Sequence, residues 1–256
     1  MAVMDADRLN PVILITGATS GFGHGCARTL AGCAQGGLIL VDSDETSLCA
    51  AADELGARGP VPERVSTLAF DAADEARWAE AERFIKGQYG RLDWAIVNAP
   101  ALQPSAGDLV EWGQPRHLEG VYHSLRAVMR LMQDNSAGGA IIVSATAGEL
   151  KSDAKTSLMQ LLRAAAKEGA HDNIRVNALL TAGGADTPRW SELPWFRDLV
   201  RSCGDPQAAL ERIGQLPEPV ARYAGADDIR RLIAMLLSDD SHMTGAALVV
   251  DGGYTL

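Results

Sequence analysis

Thr16-Gly17-Ala18-Thr19-Ser20-Gly21-Phe22-Gly23 follows directly on the apolar run Val12-Ile13-Leu14-Ile15. A β-branched run that stops at a glycine cluster reads as a buried parallel strand entering a tight turn. The small residues from Gly25 to Leu30 then read as a helix, so the turn is a strand-to-helix corner. Gly17 supplies the backbone angles the corner needs, Gly21 lets the main chain approach a ligand, and Gly23 lets the helix pack near the sheet. The free N–H groups at the helix start face an anion, for which a pyrophosphate is the natural occupant. A three-glycine turn is also an ordinary corner of α/β folds, so its context decides.

That context is a second apolar strand, Gly37 to Val41, ended by Asp42. An acidic residue about 20 positions beyond a glycine turn is placed to accept hydrogen bonds from a ribose 2′-hydroxyl and to repel a 2′-phosphate. Ser43 and Asp44 follow it in place of Arg or Lys, which favours NAD over NADP. Asp42 equally suits an N-cap for the helix Glu45 to Leu55, and the sequence leaves both roles open.

The same rhythm continues. Val65 to Phe70 reads as a strand closed by Asp71, and Asp74 to Gln88 as an amphipathic helix. Leu92 to Ala99 reads as a fourth strand, ending where strand order should reverse and where ligands sit in open α/β sheets. A long helix over Leu109 to Met132, a strand at Ala140 to Ser144, a helix over Ser152 to Glu168 and a strand at Ile174 to Leu180 follow. From Gly183 to Pro219 the pattern turns irregular around Trp190, Trp195 and Phe196, as in lids and binding segments. The lid aromatics suit an apolar substrate and equally suit packing of the lid on the core. A helix from Asp227 to Leu237 and a strand from Ala246 to Val250 close the chain. Strand and helix alternate without linker or repeat. The expectation is a single doubly wound Rossmann domain over 1–256, with a parallel sheet of about seven strands, helices on both faces and a lid at about 184–216.

Composition bounds the partners. The 256 residues are 47% hydrophobic and 22% charged, enough for a sizeable core, and the formal charge of -10 argues against nucleic acid or anionic membrane. Cys26, Cys33, Cys49 and Cys203 match no metal-ligand spacing, so no metal is expected. The first three fall in helical or alanine-rich stretches that suggest buried thiols. A reduced, cytoplasmic setting fits, with no apolar run long enough to span a membrane and no signal-peptide core from Met1 to Asn10.

Taken in order, Thr16 to Gly23, Asp42, Asp71, Leu92 to Ala99, Ile174 to Ala178 and Thr244-Gly245 through Asp251-Gly252-Gly253 resemble the short-chain dehydrogenase/reductase family along nearly the whole chain. The resemblance implies an NAD(H)-binding oxidoreductase that moves hydride between the nicotinamide and an alcohol or carbonyl substrate. By position it implies Gly17, Ser20, Phe22 and Gly23 at the pyrophosphate, Asp42 at the adenosine ribose and Asp71 at the adenine. Asn98 and Ala99 fall under the ribose and Thr187 at the carboxamide, and Lys155 is a further cofactor-binding residue. It also implies a homodimer or homotetramer, joined through the helices around Leu109 to Met132 and Ser152 to Glu168 and the C-terminal strand.

The family's catalytic Asn, Ser, Tyr and Lys are matched only in part. The Tyr-x-x-x-Lys pair reads Lys151-Ser152-Asp153-Ala154-Lys155, the serine position is Ala145 with Ser144 and Thr146 beside it, and the asparagine position is His117. Tyr89, Tyr122, Tyr223 and Tyr254, the only tyrosines, have structural readings. The segment from Ala145 to Lys151 is also shorter than the family's. Two ammonium groups one helical turn apart repel, which favours a neutral amine on one of them and gives Lys151 the means to act as a base. Lys151 and Lys155 with Ser144 and His117 are thus the catalytic candidates. Against them stand a solvated surface Lys151, a merely packed His117, and a domain that binds NAD without turnover and serves as a partner or regulatory subunit.

Overall fold

Period two along the first strand sorts its side chains into two cores. In β1 (Val12–Thr16), Val12 and Leu14 pack on one side of the sheet and Ile13 and Ile15 on the other, all buried. The computed structural model describes residues 10–19, 21–58, 64–98, 115–146, 152–181, 194–206, 208–209, 212 and 226–251. The other strands are β2 (Gly37–Asp42), β3 (Val65–Ala69), β4 (Trp94–Asn98), β5 (Gly139–Thr146), β6 (Ile174–Thr181) and β7 (Ala247–Val250). All neighbours pair in parallel, in the order β3-β2-β1-β4-β5-β6-β7. Parallel strands buried on both faces need no polar alternation, which is why they read as near-continuous apolar runs.

The helices are α1 (Gly21–Leu30), α2 (Glu45–Arg58), α3 (Glu75–Tyr89), α4 (Pro115–Gln133), α5 (Ser152–Gly169), α6 (Pro194–Cys203) and α7 (Ala226–Leu237). One core joins the sheet to α3, α4 and α5 through Trp78, Ile85, Val121, Val128, Leu158 and Leu162. The opposite core joins it to α1, α2 and α7 through Leu30, Leu48, Leu55, Ile233 and Leu237. This is the doubly wound α/β architecture expected from the alternation of elements.

Four details differ from the sequence reading. The first helix starts at Gly21 and not at Gly25, so the glycine turn itself forms the helix's first residues. The fourth strand starts at Trp94, because Asp93 is spent on bracing: its carboxylate accepts from the Val12 N–H at 2.8 Å and from Arg91 Nε at 2.9 Å. The segment expected to be irregular contains α6, an amphipathic helix beginning at Pro194. Finally, Cys49 is exposed, since the buried face of α2 runs through Leu48, Ala51 and Leu55 and Cys49 lies off it. Cys26 is buried as expected.

Tyr89 is structural. Its hydroxyl shares a 2.6 Å hydrogen bond with Ser66 Oγ, and its ring fills the space that a Cβ on Gly37 would need. Tyr122 is 41% exposed on α4, with the Arg126 guanidinium 5.5 Å over its ring. Tyr223 and Tyr254 lie outside the described residues.

Asp93 is 4% exposed, so removing its carboxylate leaves a buried N–H without that acceptor. Asp93→Ala is expected to lower stability by about 2 kcal/mol in urea unfolding, with Asp93→Asn losing less. The thiols give a second check. Burial drives the Cys26 pKa upward and pushes that of Cys33 up to about 11, and only the thiolate is nucleophilic. At pH 8 a thiol reagent should label Cys49 in the native protein and reach Cys26 only after unfolding.

Candidate functional site

Strand order reverses between β1 and β4, and the glycine turn leaves the carboxyl end of β1 at that switch point. Crevices of this kind are where open α/β sheets hold ligands. Gly17 and Gly21 take left-handed backbone angles, with φ of 59° and 53°. A Cβ on Gly17 would come within 2.9 Å of Asn98 Nδ2, and one on Gly23 would collide with the Gly17 carbonyl oxygen. Gly23 thus lets α1 pack closely on the ends of β1 and β4, as the sequence suggested, and closes the turn on itself. Phe22 is half-buried and packs into the α1 and α2 core.

Below the turn lies a polar knot at the strand ends. Asn98 donates its backbone N–H to Thr16 Oγ1 at 2.9 Å, and its side-chain oxygen accepts from Ser144 Oγ. Ser144 is 2% exposed, and its register partner across β4 and β5 is Asn98. Its hydroxyl therefore has a scaffold partner, which turns the Asn98 amide nitrogen toward the glycine corner. Ala145, one residue on, belongs to the opposite core with α3, α4 and α5.

Asp42 is half-buried at the end of β2. Its Oδ2 accepts from both Thr19 N, at 3.1 Å, and Thr19 Oγ1, at 2.7 Å, while Oδ1 accepts from Ser43 N at 2.8 Å. The helix-capping role that the sequence left open for Asp42 belongs to Asp44. Asp44 accepts from the N–H groups of Thr46 and Ser47 and from Ser47 Oγ, bonds of 3.0, 3.3 and 2.8 Å. The Ser47 hydroxyl bond, with the two backbone donors, holds the Asp44 carboxyl below the ordinary carboxylate range. Asp71 is exposed and closes its own turn by accepting from Ala73 N at 2.9 Å.

The ends of β1, β2, β4 and β5 thus bring together Gly17, Gly23, Asp42, Asn98 and Ser144 around one crevice. Ser20, Ala99, Lys151 and Thr187 lie outside the described residues. His117 and Lys155 fall on the backbones of α4 and α5, and their side chains lie outside the description. The described residues contain no cluster able to hold a metal ion. Thr16 and Thr19 escaped the sequence reading, because a hydroxyl in a turn gives no signal until the neighbouring strand end is known.

The crevice has the features a dinucleotide needs. Its corner is one that a Cβ would fill, N–H groups at the start of α1 suit a pyrophosphate, and an acid stands beside it at the next strand end. Residues 17–255 match the family model described as enoyl-(acyl carrier protein) reductase. The oxidoreductase UcpA of Salmonella typhimurium is 30% identical over 259 residues, covering 95% of this chain and 94% of that protein. Among solved structures, L-sorbose reductase from Gluconobacter frateurii, complexed with NADPH and L-sorbose, superposes with a TM-score of 0.76 at 23% identity, covering 95% of this chain and 96% of that one. Carveol dehydrogenase from Mycobacterium avium, in complex with NAD, gives 0.76 at 24% identity and covers 98% and 99%. A short-chain type dehydrogenase/reductase from Mycobacterium marinum gives 0.75 at 23%, covering all of this chain and 99% of its own. With the glycine corner, the strand order and a match across nearly its whole length, the chain belongs to the short-chain dehydrogenase/reductase family.

Proposed function

We propose that this protein binds NAD(H) in preference to NADP(H) and transfers hydride between the nicotinamide and an alcohol or carbonyl substrate, with a rearranged set of proton-transfer groups. The observation that carries the cofactor preference is the run Asp42-Ser43-Asp44-Glu45 at the end of β2. The negative charge of this run opposes that of a 2′-phosphate, and the run holds no Arg or Lys to pair it. In this reading Gly17, Ser20, Phe22 and Gly23 line the pyrophosphate, Asp42 holds the ribose, Asp71 the adenine edge, Asn98 and Ala99 the strand end beneath, and Thr187 the carboxamide. Lys155 binds the nicotinamide ribose. When bound, the nicotinamide supplies or accepts the hydride.

The chain's own residues must then move a proton at the substrate oxygen. We assign that work to Lys151, kept partly neutral by the charge of Lys155 one helical turn away. His117 stands at the position where the family carries an asparagine. Ser144 acts through Asn98, consistent with its hydrogen bond there. The alternative, an NAD-binding homologue without turnover that serves a partner, is favoured by Ala145 and Lys151 at the positions of the family's serine and tyrosine.

The rest of the proposal follows the family. The segment 184–216, with α6 inside it, forms the lid over a small substrate, and 1–256 is one domain. Two or four copies assemble through α4 and α5, supported by an open apolar hollow between them lined by Leu118, Tyr122 and Leu161. The setting is cytoplasmic, in keeping with four free cysteines. No helix among the described residues is long and apolar enough to cross a membrane.

Two measurements test this reading. Calorimetric titration should find NAD and NADH binding at least about tenfold tighter than NADP, a difference of about 1.4 kcal/mol, and Asp42→Ala should erase most of that preference. NADP binding as tightly as NAD would refute the preference. Across a panel of alcohols and ketones, Lys151→Ala should abolish NAD-linked turnover while NAD affinity stays unchanged. A wild-type protein that binds NAD but turns over nothing in the panel selects the alternative.

A further inference from the structure

We infer that Trp78 is a positioning residue for the cofactor's adenine, acting through the peptide between Ala72 and Ala73 on the carboxylate of Asp71. The inference rests on the reading above that places Asp71 at the adenine, and it names the residue that aims that carboxylate.

The loop from β3 to α3 is a turn closed by the Asp74 N–H, which donates to Asp71 O at 2.8 Å. Its middle peptide joins Ala72 to Ala73, and a trans peptide points its carbonyl and its N–H in opposite directions. Both ends of this one are bonded. The Trp78 indole N–H donates to Ala72 O at 2.9 Å, and the Ala73 N–H donates to Asp71 Oδ1 at 2.9 Å. An indole N–H can only donate, so the order is fixed. Indole to carbonyl and N–H to carboxylate form a chain of two hydrogen bonds through a single peptide group. Bonds in such a chain polarise one another, so the indole strengthens the hold on Asp71 as well as setting its direction.

Trp78 is itself immobilised. Its side chain is 0% exposed on α3, and its ring meets that of Phe70 edge-on with 5.0 Å between centroids. The Phe70 N–H donates to Asp42 O at 2.9 Å, which anchors the near end of the loop to the end of β2. From the other side the α4 backbone comes close at Gly120, where a Cβ would stand 3.7 Å from the Ala72 carbonyl carbon. The peptide is thus held between α3 and α4 while Asp71 stays exposed. With Oδ1 occupied by the turn, Asp71 Oδ2 has no partner among the described residues and is the oxygen available to adenine's amino group. A phenyl ring at position 78 would still fill much of the core, but it would leave Ala72 O without its donor and the peptide held at one end only.

A tryptophan that only fills the core would behave differently, and the cofactor's base separates the two roles. The full-length wild-type protein and Trp78→Phe are titrated with NAD and with the analogue carrying hypoxanthine in place of adenine, which presents an oxygen where adenine presents its amino group. A third chain carries benzothienylalanine at position 78. This side chain keeps the shape of the indole and replaces its N–H by sulfur, so it removes the donor alone should the smaller phenyl ring prevent folding. Wild type should bind NAD about tenfold tighter than the analogue, the scale of one charge-assisted hydrogen bond. In both variants that ratio should fall to about threefold or less, with most of the change on NAD. Loss of packing alone lowers the urea midpoint and scales both ligands together. A folded variant that keeps the wild-type ratio, or a wild type that binds both ligands equally, overturns the inference. If wild type binds neither NAD nor the analogue, the NAD reading itself fails and takes this inference with it.

Discussion

The carbonyl oxygen of Gly17 occupies the space where a Cβ on Gly23 would be, and this contact sets the geometry of the crevice. With the turn closed that tightly, α1 begins at Gly21, five residues after the last residue of β1, and its free N–H groups open at the switch point between β1 and β4. The closure is braced from below. Asn98 lies close enough to reject a side chain on Gly17, and its own position is set by Thr16 through the backbone and by Ser144 through the side chain. Three strands thus contribute to one rigid corner, and a pyrophosphate site made of backbone N–H groups needs that rigidity because it has no side-chain charge to fall back on.

The fold was legible because burial on both faces makes the strand signal nearly binary. Each of the first six expected strands is found, with ends shifted by at most two residues, and the shift at the start of β4 has a cause: Leu92 continues the apolar run in sequence, yet the Asp93 carboxylate that follows it is used to brace the start of β1. The site was legible where a motif fixes the backbone, as at Gly17 and Gly23. It was ambiguous where one residue type serves two purposes. Asp42 and Asp44 are chemically the same and two positions apart, and only the observed cap bonds to Thr46 and Ser47 assign the helix to the second. Thr19 was not legible at all, because its meaning depends on β2 pairing beside β1, a long-range fact that no local pattern encodes.

The two cores also divide the labour of the site. Asn98 and Ser144 stand on the α1 side of the sheet, in phase with Trp94 and Ile96 and with Ala140 and Ile142. Ala145 falls on the other side, toward α3, α4 and α5. The resemblance puts the family's serine at position 145, which lies on this second side. A residue such as Ser144 can sit next to the serine position in sequence and still face away from it, because neighbours on a strand point to opposite faces.

This division separates the positions on which the corner depends from those on which it does not. Changing Gly17, Gly23 or Asn98 would break the corner, since each is in contact with another backbone or with a fixed amide. Position 145 carries no such burden: an alanine there is buried against the second core and leaves no polar group unsatisfied. The geometry of the corner is therefore tied to packing on the α1 side of the sheet, whereas position 145 is held only by apolar contacts of the second core. One small residue at position 145 can therefore be exchanged for another while the packing that forms the corner stays intact.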